Sequence, residues 1–138
     1  MVAAGIKETY TLNYNTMKEI RITNSESPFF NKTGLGQMTW NNEDCMVHID
    51  SEKSFHVFYK NEIEVVGNPT VYDATKLAYN QIESNEFPIR ALLSRVRNIC
   101  ERPELMDGTI LRRLRELKAD GQLNYRLEDN HRAIYQKL

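Results

Sequence analysis

Apolar residues in this chain follow two different periods. Up to about residue 66 they alternate with polar ones, the pattern of strands with one buried face. Glu8–Tyr14 and Lys18–Thr23 read as strands, the second with Ile20 and Ile22 on one face. Asn24–Gln37 is polar, broken by Pro28-Phe29-Phe30 and by Gly34-Leu35-Gly36, and reads as a long loop. Cys45, Val47 and Ile49 then alternate with polar neighbours, and after the turn-forming Asp50–Lys53 so do Phe55, Val57 and Tyr59. A tight turn at Lys60-Asn61 leads to Ile63 and Val65. The pattern predicts an antiparallel meander of three strands, or five with the N-terminal pair.

Gly67-Asn68-Pro69 punctuates the chain, and beyond it the period lengthens to about 3.6 residues. This divides the protein into an antiparallel β domain over 1–68 and a helical domain over 69–138. Asp73 is placed to cap a helix running to Glu83, with Leu77, Ala78 and Ile82 inward. Pro88 suits the first position of a second helix, to Glu101, with Ile89, Leu92, Leu93, Val96, Ile99 and Cys100 as its apolar stripe. Pro103 ends it. Asp107 is placed to cap a third helix, and Gly121 to close it in the left-handed conformation. Leu123, Tyr125 and Leu127 enter a hairpin that returns through Ala133 and Tyr135. The fold class is α+β.

Projected at 100° per residue, the third helix segregates cleanly. Ile110, Leu111, Leu114 and Leu117 fall on one side; Thr109, Arg112, Arg113, Arg115, Glu116 and Ala119 fall on the other. Charge follows the same division of the chain. The net charge of −1 hides 7 Lys and Arg against 12 Asp and Glu over 1–87, and 11 against 7 over 88–138. Nine of those eleven basic residues are Arg, whose planar fork suits phosphate and guanine edges.

The run Thr109-Ile-Leu-Arg-Arg-Leu-Arg-Glu-Leu-Lys-Ala-Asp-Gly resembles the third helix and turn of winged helix-turn-helix domains. Leu123-Asn-Tyr-Arg-Leu is similar to their first wing strand, and Arg132-Ala-Ile-Tyr to the second. The resemblance covers about residues 70–138 and is a superfamily pattern. It implies three helices with a C-terminal hairpin wing, and double-stranded DNA as partner. Thr109, Arg112, Arg113 and Arg115 would face the groove, and Arg126, His131 and Arg132 would form the wing contact. Arg90, Arg95, Arg97 and Arg102 on the preceding helix would supply phosphate contacts. The wing is short and carries Glu128-Asp129 near its tip, a departure that weakens phosphate contact there. Winged helices also serve as protein-docking modules, and Arg-rich faces also pair with acidic partners.

Other constellations point elsewhere only weakly. Cys45, His48 and His56 have a zinc-like spacing, but Cys45 and His48 fall on opposite faces of one strand and no fourth ligand is evident. Cys45 reads as core and His48 as surface. Asp44, Asp50, Glu52, Glu62 and Glu64 form an acidic series; Glu62 and Glu64 share a strand face with Lys60, the appearance of a solvated face. No phosphate-binding loop, nucleophile elbow or dinucleotide glycine pattern is present, so neither an enzyme nor a cofactor is expected. Phe29 and Phe30, adjacent aromatics in a polar stretch, are candidate protein-interaction residues or else cap the small core. Trp40 reads as core. Two distant cysteines, with no signal peptide or membrane span, suit a cytoplasmic protein.

These readings make a DNA-binding protein the leading expectation, a small transcriptional regulator of bacterial or phage type. The alternative is a protein-interaction module, such as a phage-encoded inhibitor or adaptor of a nucleic-acid enzyme. Its acidic β-half would then be the contact surface or mediate a homodimer.

Overall fold

The computed structural model describes residues 16–39 and 41–138. They fall into two compact units, one ending at Thr70 and the other spanning Val71–Leu138. The expected strand Glu8–Tyr14 and the core position of Trp40 lie outside the described residues.

The first unit is a five-stranded antiparallel sheet: β1 Lys18–Ile22, β2 Thr33–Met38, β3 Asp44–Ile49, β4 His56–Tyr59 and β5 Ile63–Gly67. The spatial order is β4-β3-β2-β1-β5, so the two edge strands are consecutive in sequence. A single 3-10 turn, Lys60–Glu62, joins them. In a flat sheet four strand spacings would separate these edges by about 19 Å. The linking residues span at most about 14 Å. The sheet therefore has to curl until its edges approach. Glu62 pins the closure: its carboxylate accepts from the Tyr59 backbone N–H at 2.9 Å and from Asn24 Nδ2 at 2.7 Å. Those two bonds hold its acid below the usual carboxylate range, the Tyr59 bond first. Its carbonyl accepts from the N–H of Thr23 at 2.8 Å. Glu62 thus belongs to a turn and is not part of a solvated strand face; Glu64 alone lies on the strand, paired with Arg21 at 3.1 Å.

The inner face buries Ile20, Ile22, Met38, Cys45, Val47, Ile49 and Phe58. Two expectations are corrected here. Gly34-Leu35-Gly36 is the middle of β2, not a loop. Gly34 is partnered by Ile20 and Ile49, and Gly36 by Lys18 and Val47, so both glycines belong to the inner face. A Cβ on Gly36 would come within 3.0 Å of Ile20 Cγ1 and of the Met46 carbonyl oxygen. Bare backbone lets the curled sheet close over that face. On β4 the strand is where the alternation puts it, but with its faces reversed. Phe58 fills the core, while Phe55, Val57 and Tyr59 point outward and are exposed.

The second unit carries α1 Val71–Gln81, β6 Glu86–Pro88, α2 Ile89–Cys100, α3 Asp107–Ala119, β7 Tyr125–Asp129 and β8 Ile134–Lys137. α1 packs against both α2 and α3, and the strands form an antiparallel sheet in the order β6-β8-β7. Ala74, Ala78, Leu92, Val96, Ile110 and Leu114 are buried in one core, each large side chain contributing roughly 1.5–3 kcal/mol. Leu111 is only half-buried at its edge.

Helix starts differ from expectation for local reasons. Pro88 is extended (φ −71°, ψ 140°) and pairs with Ile134 in β6, so it precedes α2 as its cap residue. The ladder even continues past it, with Ile89 N–H donating to the Ala133 carbonyl at 2.9 Å. α1 begins at Val71, with Asp73 inside its first turn. α3 is capped by Met106, which offers no side-chain bond. Asp107 is its first residue, its carboxylate drawn to Arg97. Gly121, at φ +73°, follows the C-cap Asp120.

Candidate nucleic-acid interface

The basic residues of the second unit divide by what holds them. Arg97 donates through Nε to the Leu105 carbonyl at 2.8 Å and pairs with Asp107, so it fastens the turn between α2 and α3. Arg102 pairs with Glu104 at 3.2 Å. Arg113 is bonded to Glu116 one turn on. Arg126 donates to Glu128 at 3.0 Å and to Gln136 at 2.9 Å. Arg132 lies 3.9 Å from Asp129 and keeps three-quarters of its side chain exposed. By contrast, among the described residues no carboxylate pairs with Arg90, Arg95, Arg112 or Arg115.

α3 presents this free charge because its leucines fix its rotation. With Ile110, Leu114 and Leu117 buried, the opposite face is centred on Arg112. Arg115 flanks it on one side, Thr109 and Glu116 on the other. Arg112 and Arg115 are exposed; Thr109, Arg113 and Glu116 are half-buried. The helix N-terminus adds partial positive charge, and Asp107 in the first turn offsets some of it. Of the four residues expected at a groove, Thr109, Arg112 and Arg115 share the outward side of α3, whereas Arg113 lies on its flank beside Leu117, half-buried and engaged by Glu116, so two guanidiniums are available.

The hairpin is anchored to the helices by lysines. Lys118 Nζ donates to the Tyr125 carbonyl at 2.7 Å and sits over its ring. Lys137 Nζ donates to the carbonyls of Tyr79 and Ile82 at the end of α1. At the tip, Asp129 Oδ1 accepts from the Arg132 N–H at 3.2 Å, and His131 is exposed beside it. Arg90 stands with Arg132 around a shallow cleft lined by Pro88, Ile89, Ala133 and Ile134. The strand β6, which brings the start of α2 to the returning wing strand, was not legible: Glu86-Phe87-Pro88 is too short to show a period.

Elsewhere the candidates separate. Phe29 is half-buried, its ring 4.4 Å from that of His56 and 6.1 Å from that of Phe58, so it closes the β core; Phe30 is exposed. His48 is a correction: it is buried, at 8% exposure, with Nδ1 3.0 Å from the Glu52 carbonyl oxygen. Cys45 faces the opposite side, and burial pushes its thiol up to about 12. Among the described residues no group of three or more His, Cys, Asp or Glu is placed to hold a metal ion. No helix among them is long and apolar enough to cross a membrane.

No protein-family profile, curated protein or solved structure matches this chain.

Proposed function

We propose that residues 71–138 form a winged helix-turn-helix that binds duplex DNA, with α3 entering the major groove. One observation carries the reading: Arg112 and Arg115 lie exposed and without a carboxylate partner on the outward face of α3, in a unit where five other arginines are paired. Guanidiniums left unneutralised along the outward face of a helix suit base edges and phosphates. The element order supports the same reading, since a helix, a short strand, two helices and a two-stranded hairpin follow one another. Arg95 and Arg90 on α2, with Arg132 on the hairpin, supply phosphate contacts that set orientation. Arg97 and Arg126 serve the fold. A role as a small regulator of transcription follows from specific binding.

The test is a fluorescence titration of random and selected duplexes at two salt concentrations. The wild-type chain binds with an affinity that falls steeply with salt. Arg112→Ala with Arg115→Ala lowers affinity about tenfold or more and reduces the salt slope by roughly 2. A wild-type chain that binds no duplex at low salt overturns the reading and favours protein docking by this face.

A further inference from the structure

We propose that the open edge of β4 is a docking site for an extended segment of a partner protein, one with alternating apolar side chains and a lysine or arginine at the Tyr59 end. β4 is an edge strand, and its backbone polarity follows from its neighbours. The Asp44 carbonyl accepts from Thr39 at 2.9 Å, toward β2, so Cys45 and Val47 are the residues bonded to β4. Their partners are Phe58 and His56, which leaves the backbone groups of Val57 and Tyr59 pointing away from the sheet. Glu62 occupies the Tyr59 N–H. The N–H and C=O of Val57 take no bond from the described residues, while the Tyr59 carbonyl, at the N-cap of the 3-10 turn, accepts that turn's first bond.

The side chains of this edge are as unusual as its backbone. Phe55, Val57 and Tyr59 are 49%, 56% and 68% exposed and follow one another at spacing two along one face. Sheet edges are normally blunted by charge or proline, and an apolar edge strand is a template for another strand. Charge selects the partner. Asp44 is directly across from Tyr59, at a position where cross-strand side chains lie closest. Neither Asp44 nor its neighbour Glu43 has an ion pair or side-chain hydrogen bond among the described residues. A cationic side chain on an added strand starts about 10 Å from Asp44, two strand spacings away. Its stem can lie along the Tyr59 ring and its head reach the Asp44 carboxylate. An acidic segment would meet repulsion at the same place.

The experiment uses the full chain and two short synthetic peptides of alternating valine and threonine, one ending in arginine and the other in glutamate. The arginine peptide is expected to slow amide exchange at Val57 and to bind about tenfold more tightly than its twin. Val57→Lys, at an outward position that leaves the core intact, lowers that affinity about tenfold or more. Asp44→Asn brings the two peptides' affinities together without altering the thermal midpoint. Unchanged exchange at Val57, or equal binding by the Val57→Lys chain, overturns the proposal. So does concentration-dependent self-association that Val57→Lys abolishes, because a second copy would then occupy the edge.

Discussion

A Cβ built on Gly34 would sit 2.2 Å from the carbonyl oxygen of His48. Backbone on both sides makes that contact unyielding, since no flexible side chain can move away. Gly34→Ala is therefore expected to destabilise the chain by about 3 kcal/mol or more, the range of overpacking and strain at a buried site. Gly108, in the first turn of α3, is the control: a Cβ there meets nothing within 4 Å. Gly108→Ala should stabilise by roughly 0.5–1 kcal/mol. Chemical denaturation of the two variants checks both signs, and a harmless Gly34→Ala would refute the close approach.

Tyr72 near the start of α1 donates through its hydroxyl to Asp120 Oδ2 at 2.6 Å, just past the end of α3. The bond to this carboxylate pushes the phenol up to about 12, with desolvation and the nearby acidic charges adding to it. A phenol that holds its proton more tightly when folded contributes stability below its unfolded value, about 10. That contribution is lost as pH rises from there through the folded value. Tyr72→Phe is expected to cost up to about 1 kcal/mol at neutral pH. The difference between variant and wild type should shrink between pH 10 and 12. A difference that persists at the upper end would mean that packing, not the hydrogen bond, sets it.

The parts of this fold that could be read from sequence are those with a long period. The three helices show because Leu77, Ala78, Ile82, then Leu92, Leu93, Val96, and then Ile110, Leu114, Leu117 repeat often enough to define a face. The faces of β4 were inverted because four residues, His56 to Tyr59, hold apolar side chains on both sides. Only the pairing of Cys45 with Phe58 decides which face is inside. β2 was invisible for a different reason. Glycine inside a strand reads as a breaker, yet at Gly34 and Gly36 the absent side chains are what a tightly curled sheet requires. The charge on α3 was legible as a face, but its availability was not. Whether an arginine is free or paired depends on rotamers and on acids such as Glu116, which helical projection places only approximately.

That last distinction predicts a gain of affinity. Arg113 is held by Glu116 beside the free Arg112. Glu116→Gln keeps a good helix former and forfeits an intrahelical pair of about 0.3–0.5 kcal/mol. It also releases the Arg113 guanidinium and removes a negative charge from the outward face. If α3 binds DNA, duplex affinity should rise about threefold or more, the worth of one exposed ion pair. The salt slope should steepen by roughly 0.9, one more phosphate neutralised. Unchanged affinity would show that Arg113 takes no part, and reduced affinity that Glu116 itself supports binding.

Lys137 tests what holds the hairpin to the helices. Its ammonium donates to the carbonyls of Tyr79, at 2.7 Å, and Ile82, and lies 4.6 Å from the centre of the Tyr79 ring. Carbonyls at a helix C-terminus carry partial negative charge and are short of donors, the Tyr79 carbonyl having only a long 3.3 Å bond from the Ile82 N–H, so a cation there satisfies two needs at once. Lys137→Met keeps the apolar stem but removes the donors. It should cost about 1–3 kcal/mol through the lost charged hydrogen bonds, a fall of several degrees in Tm. Lys137→Arg should cost less, since charge and donors remain even if the planar fork fits two carbonyls differently. Because the site is part-buried, most of the loss should survive in high salt, where exposed pairs are screened. A Lys137→Met chain that melts with the wild type would mean that water serves these carbonyls equally well, leaving the hairpin anchored by Lys118 and the aromatic core.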